Sequence, residues 1–135
     1  MAVRRVPATI ACTATFAANL PANSVVPVNM TLDPLTGPQT VLQVPQNESW
    51  VIEDVYIISS QTPDARVEIY KNDLDIEIFT DPINTLLVSN PTRPRYPKKV
   101  YGPFSRLTMR AINLAAIGAS AATITFYVKI MRFAA

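Results

Sequence analysis

The sequence predicts an all-β fold: an eight-stranded sandwich of two sheets. Three observations carry the prediction. Val, Ile and Thr number 13, 12 and 13 of the 135 residues, and these β-branched side chains suit a pleated, half-buried surface. Twelve prolines, the last of them Pro103, divide the chain before Phe104 into segments of at most 18 residues and disfavour long helices there. Between the prolines lie short runs with apolar residues at alternate positions, the period of a strand with one buried face. Eight short strands with one long crossing segment fit a jelly roll. An immunoglobulin-like sandwich is the alternative, although the Cys…Trp…Cys spacing of antibody domains is missing. One domain covers residues 1–135, with 1–20 as a candidate N-terminal arm.

Strands are expected at about 8–17, 24–32, 39–44, 49–59, 65–71, 74–80, 104–113 and 122–133. The turn cluster Asp33–Pro38 separates the second from the third. In the fourth, Trp50 to Ile58 is apolar on both faces apart from Glu53 and Asp54, the look of a central strand. After a turn at Gln61–Asp64, Val67 and Ile69 alternate with charge in the fifth. A turn at Lys71–Asp73 leads into the sixth, where Asp73, Asp75 and Glu77 take one face and Leu74, Ile76 and Ile78 the other. The segment 84–102, with Pro91, Pro94 and Pro97, reads as a crossing loop or extended arm around a short strand or turn at 85–88. Tyr101-Gly102-Pro103-Phe104 is a turn entering the seventh strand, and 114–121 a helical turn or a loop of small residues. In the eighth, Ile124, Phe126, Val128 and Ile130 oppose Thr123, Thr125, Tyr127 and Lys129. Trp50 and Phe126 are expected in the core, and Cys12 as a small buried hydrophobe.

The residues that are missing bound the chemistry. A single Cys and no His exclude an internal disulfide, a cysteine-based zinc site and the Ser-His-Asp and Cys-His nucleophile systems. No enzyme activity, metal or cofactor is expected. Residues 111–128 carry no charge over a length that could just span a bilayer, but the alternation in their second half reads as strand, so membrane contact is not expected. Met1–Arg5 opens a weak signal-like stretch diluted by Ala, Thr and Pro7, and is read as mature chain. The sequons at Asn29 and Asn47 read as chance.

Charge is the most informative feature. Only 16% of residues are charged, against about 25% in ordinary domains, so part of the exterior is expected to be covered. All 10 acids lie between Asp33 and Asp81 with only Arg66 and Lys71 among them, while the flanks hold ten bases and no acid. Folding either interleaves the two sets or leaves a surface for a charged partner or another copy. Three groups of contact residues stand out. Arg93, Arg95, Lys98 and Lys99 share a stiff segment with Tyr96 and Tyr101 and read as a solvated loop, a subunit contact or a phosphate-binding stretch. Arg4 and Arg5 form a smaller basic arm. Asp73, Asp75 and Glu77 need open water, a basic neighbour or a cation, or could act as paired carboxylates in acid–base chemistry.

The first 32 residues carry no charge except Arg4 and Arg5, and 111–128 carry none. A core this small cannot hide both, so coverage by many copies of the same chain is expected. On its eight-strand reading, short length, uncharged N-terminal region and absence of His, the chain resembles the single jelly-roll capsid proteins of icosahedral viruses, especially archaeal DNA-virus shells such as those of Sulfolobus polyhedral viruses. The resemblance covers about 8–133 and is architectural. It implies a major capsid protein that self-assembles in the host cytoplasm and resides in the virion. Its expected partners are other virion proteins and packaged double-stranded DNA, and it brings no catalytic residues. The arm before Pro21 and the loop 89–103 would reach neighbouring copies, with Arg93, Arg95, Lys98 and Lys99 meeting Asp73, Asp75 and Glu77. A minor capsid, spike or decoration protein belongs to the same class. A ligand- or nucleic-acid-binding sandwich is the alternative from another class.

Overall fold

The computed structural model describes residues 3–32, 37–56, 65–71, 75–78 and 100–134. They form β1 (Arg4–Phe16), β2 (Val25–Pro27), β3 (Asn29–Thr31), β4 (Leu42–Gln43), β5 (Glu48–Tyr56), β6 (Ala65–Lys71), β7 (Asp75–Ile78), β8 (Val100–Tyr101), β9 (Arg106–Asn113) and β10 (Ala122–Ala134). Sheet A runs β3-β1-β10-β5-β8, and sheet B runs β2-β9-β6-β7. β4 shares with β2 the edge of β9 that β6 leaves open.

Reading β2 and β4 as one interrupted strand, with β3 as its excursion onto sheet A, leaves eight strands. The first pairs with the last. The order is first-eighth-third-sixth in one sheet and second-seventh-fourth-fifth in the other, the double Greek key of a jelly roll. An immunoglobulin-like sandwich would instead set its first two strands side by side.

Alternation explains the layers. Ile10, Cys12, Ala14 and Phe16 of β1 and Ile124, Phe126, Val128 and Ile130 of β10 are buried on the inner face of sheet A. Val67 and Ile69 of β6 and Leu107, Met109 and Ala111 of β9 meet them from sheet B. The Cys12 thiol lies 4.0 Å from the Met109 sulfur across the core. Trp50, Phe126 and Cys12 are buried as expected, at 2%, 0% and 0% exposure.

Several boundaries differ from expectation for physical reasons. β1 begins at Arg4 and is laddered to β10 without a break from Arg4↔Ala134 to Phe16↔Ala122. Residues 4–16 are therefore part of the sandwich and not an arm. The expected strand at 24–32 divides at Val28, whose N–H still donates to Met109 O (3.2 Å) on sheet B before the chain steps across to β1. The apolar doubling in β5 reflects a bulge as well as burial. Ile130 pairs with Ile52 and Lys129 with Asp54, so Glu53 is the extra residue and the alternation changes phase there. Residues 111–128 are the end of β9, a loop and the start of β10, and no helix among the described residues is long and apolar enough to cross a membrane.

Candidate assembly surfaces

The two uncharged segments of the sequence lie side by side, and each hides only one face. Their outward residues form a band on sheet A in which Thr13 lies opposite Thr125 and Asn29, and Thr15 opposite Thr123. The Thr15 and Thr123 hydroxyls are 3.2 Å apart. Ala11 sits between Thr31 and Tyr127. The charges on this outer face of β1 and β10 are Arg5 and Lys129, both toward the end where the chain termini lie. An uncharged threonine surface is wettable, yet gives up less solvation when covered than a charged one.

Elsewhere the fold interleaves acid and base across two seams. Between β10 and β5, Arg132 holds Glu48 with two charge-assisted bonds, Nε to Oε1 at 2.7 Å and Nη2 to Oε2 at 2.9 Å. The Trp50 indole N–H donates to the same carboxylate (3.2 Å), and the Arg132 guanidinium lies 6.0 Å from the Trp50 ring centroid. The Arg132 hydrogen bonds, opposed by burial, hold the Glu48 carboxyl below its usual range. Further along this seam, Asp54 is the register partner of Lys129. Between β9 and β6, Glu68 lies opposite Arg110, whose guanidinium is 4.9 Å from the Tyr70 ring centroid. Tyr70 OH donates to Glu68 (3.1 Å), and burial, followed by this bond, raises the phenol's pKa.

Further described charges lie on the two lateral sides of the sandwich. The chain crosses from β2 to β3 through Val28, so the β2 edge of sheet B and the β1–β3 edge of sheet A form one side. That side carries the exposed Arg4 and Arg5; the Arg5 guanidinium lies 5.9 Å from the Phe133 ring centroid, and the charge of Arg4 helps to hold the Glu48 carboxyl low. The opposite side is built from β5 and β8 of sheet A and β7 of sheet B. It carries the exposed Glu53 on β5 and, on β7, Asp75 and Glu77 at the register positions of Lys71 and Ile69.

Two features close the sandwich ends: a buried amide that the sequence reading missed, and the turn it placed at Tyr101–Phe104. Asn113 is fully buried at the end of β9 and joins the loops 17–24 and 114–121. Its Oδ1 accepts from Ser24 N–H (2.8 Å), and its Nδ2 donates to Pro21 O (3.0 Å) and Ala115 O (2.8 Å). Backbone bonds from Asn19 N–H to Gly118 O and from Ile117 N–H to Leu20 O, both 2.8 Å, complete the junction. At the other end, Ser105 N–H donates to Gly102 O (3.1 Å) across Pro103-Phe104. Phe104 has φ +66° and is 58% exposed. This is a type II turn with phenylalanine where glycine is the usual residue. The left-handed backbone costs about 1–2 kcal/mol there.

Of the residues singled out by sequence, Arg4 and Arg5 are placed together on β1, and Asp75 and Glu77 on β7. Asp73, Arg93, Arg95, Lys98 and Lys99 lie outside the described residues. Among the described residues no group of three acid or Cys side chains could hold a metal ion. Compared with protein-family models and with curated proteins, the sequence has no match.

Proposed function

We propose that this protein is a structural subunit that self-assembles in many copies into a viral capsid shell, as its major capsid protein. The observation that carries the proposal is the coupling of a jelly-roll order to an exterior poor in unpaired charge. The outer face of β1 and β10 is a threonine band, Arg132 is held by Glu48 across the β10–β5 seam, and Glu68 lies opposite Arg110 across the β9–β6 seam. Such a surface suits contact with further copies.

Light scattering of the purified protein against concentration, followed by negative-stain imaging, tests the proposal. Growth into closed particles is the expected result. A monomer that persists at every concentration and salt condition, with no particles in the images, overturns it.

A further inference from the structure

The two sheets differ on their outer faces. Sheet A carries the threonine band, whereas on sheet B base outnumbers acid. Leu107, Met109 and Ala111 of β9 and Val67 and Ile69 of β6 are buried. Alternation therefore turns Arg106 and Arg110 of β9, and Arg66, Glu68 and Tyr70 of β6, to the outside. Arg106 and Arg110 are exposed, and Arg66 is half-buried. Among the described side chains of this face, three arginines meet one acid, Glu68.

The register sets their spacing. Glu68 lies opposite Arg110, and Arg66 lies opposite Ile112, further along β9. Arg106 and Arg110 are therefore about 13 Å apart along the strand, and Arg110 and Arg66 are diagonal neighbours about 7–8 Å apart at the backbone. The three positions make a track about 20 Å long on a rigid sheet. Two of them have donors to offer. The Arg66 Nε is buried without a hydrogen-bond partner among the described residues, so hydrogen-bonding capacity remains on this side chain. The Arg110 guanidinium lies over the Tyr70 ring, 4.9 Å from its centroid, and stacking leaves N–H groups of the fork for an acceptor. The Glu68 carboxylate already accepts the Tyr70 hydroxyl (3.1 Å).

From this juxtaposition we infer that the outer face of sheet B binds the phosphate backbone of double-stranded nucleic acid. Guanidinium forks match phosphate oxygens. A duplex carries one charge per about 1.7 Å of its axis, so a track of about 20 Å faces about twelve of them. A face of three strands, about 14 Å across, is too broad for a major groove of about 12 Å, so the contacts are to the backbone and carry no sequence preference. Single strands are held by stacking bases on aromatic rings, and Tyr70, the aromatic ring described on this face, is already covered by Arg110. The inference adds a partner to the assembly reading and does not depend on it, because binding is measured on dilute subunits.

Fluorescence anisotropy with a labelled DNA duplex of random sequence tests the inference. The slope of log affinity against log salt is compared between wild type and a variant carrying Arg66→Gln, Arg106→Gln and Arg110→Gln, once thermal unfolding has shown that the variant folds. Each phosphate contact contributes about 0.9 to the slope, so the slope should flatten by about 2.7, a loss of affinity between about 50 and 200 mM salt that is about 40-fold smaller. If the triple variant does not fold, each single substitution should flatten the slope by about 0.9. Arg110→Lys keeps the charge and should keep the slope, Glu68→Gln should tighten binding at low salt, and Arg4→Gln with Arg5→Gln, on sheet A, should leave the slope unchanged. A slope that the sheet B substitutions do not move, or that Lys98→Gln with Lys99→Gln flattens in their place, overturns the inference. So does a wild-type protein that binds no duplex at about 50 mM salt, or one that prefers single strands or phosphatidylserine vesicles to the duplex. Particle formation by the same variants in light scattering reports separately on the assembly reading, so the failure of one is distinguishable from the failure of the other.

Discussion

Asn113→Ala is expected to be among the most damaging single substitutions outside the apolar core. The side chain makes three hydrogen bonds, with Ser24 N–H, Pro21 O and Ala115 O, from a fully buried position. After truncation Pro21 O keeps the Ser24 hydroxyl at 2.7 Å, whereas Ser24 N–H and Ala115 O lose the Asn113 bond. A net loss of about 1 kcal/mol per bond, with more for a group left bare, puts the cost near 3 kcal/mol. Unfolding entropy of about 2.1 cal/mol/K per residue gives roughly 0.28 kcal/mol/K for a chain of this length, so Tm should fall by about 10 °C. Urea unfolding followed by circular dichroism checks the number; the midpoint should move while the slope stays constant. Asn113→Leu keeps most of the volume and should be nearly as destabilised, because the loss is polar and not a cavity. A cost under about 1 kcal/mol in both variants would refute the reasoning that this residue is the joint between the two loops.

Glu48 has a folded pKa below its unfolded value, so the stability it contributes is complete above about pH 4.3 and is lost as pH falls through the lower folded value. Glu48→Gln should therefore cost about 1 kcal/mol at pH 7, with the two melting curves converging in acid. Burial raises the Cys12 thiol pKa, so a thiol reagent at pH 8 should label it only as fast as the protein unfolds. Prompt labelling of native protein would show that the thiol is accessible. Phe104→Gly relieves a left-handed backbone at an exposed site and should stabilise the subunit by about 0.5–1 kcal/mol in chemical unfolding. A destabilised variant would mean that the ring packs on something that stability depends on.

The layers were legible because one face of most strands is buried: Ile124 to Ile130 and Val67 with Ile69 announce their inner faces by alternation alone. The first strand was expected only from about residue 8 because two arginines and a proline look like an arm, and the place of Arg4–Pro7 in the sheet follows from the partnership with β10, which no local pattern encodes. The bulge at Glu53 imitated a strand covered on both sides, since a phase change and double burial leave the same apolar run. Charge sorting along the chain was visible, but its result in space was not. The register sets acids of the middle segment opposite bases of the C-terminal one, Asp54 opposite Lys129 and Glu68 opposite Arg110. Asn113 looked like a polar interruption of an apolar run and is instead a satisfied interior amide, a distinction that depends on loops distant in sequence.

The pairing of Arg4 with Ala134 and of every residue between them along β1 and β10 also bears on how the molecule comes into being. The longest ladder of the fold closes over nearly the whole chain, so its loop-closure entropy must be met late, as in slow-folding proteins of high contact order. During synthesis β1 emerges long before β10 and waits for its partner to leave the ribosome. Until then the unmated strand is exposed to the crowd of nascent chains, and Pro7, near its start and without an N–H, guards that end against premature pairing.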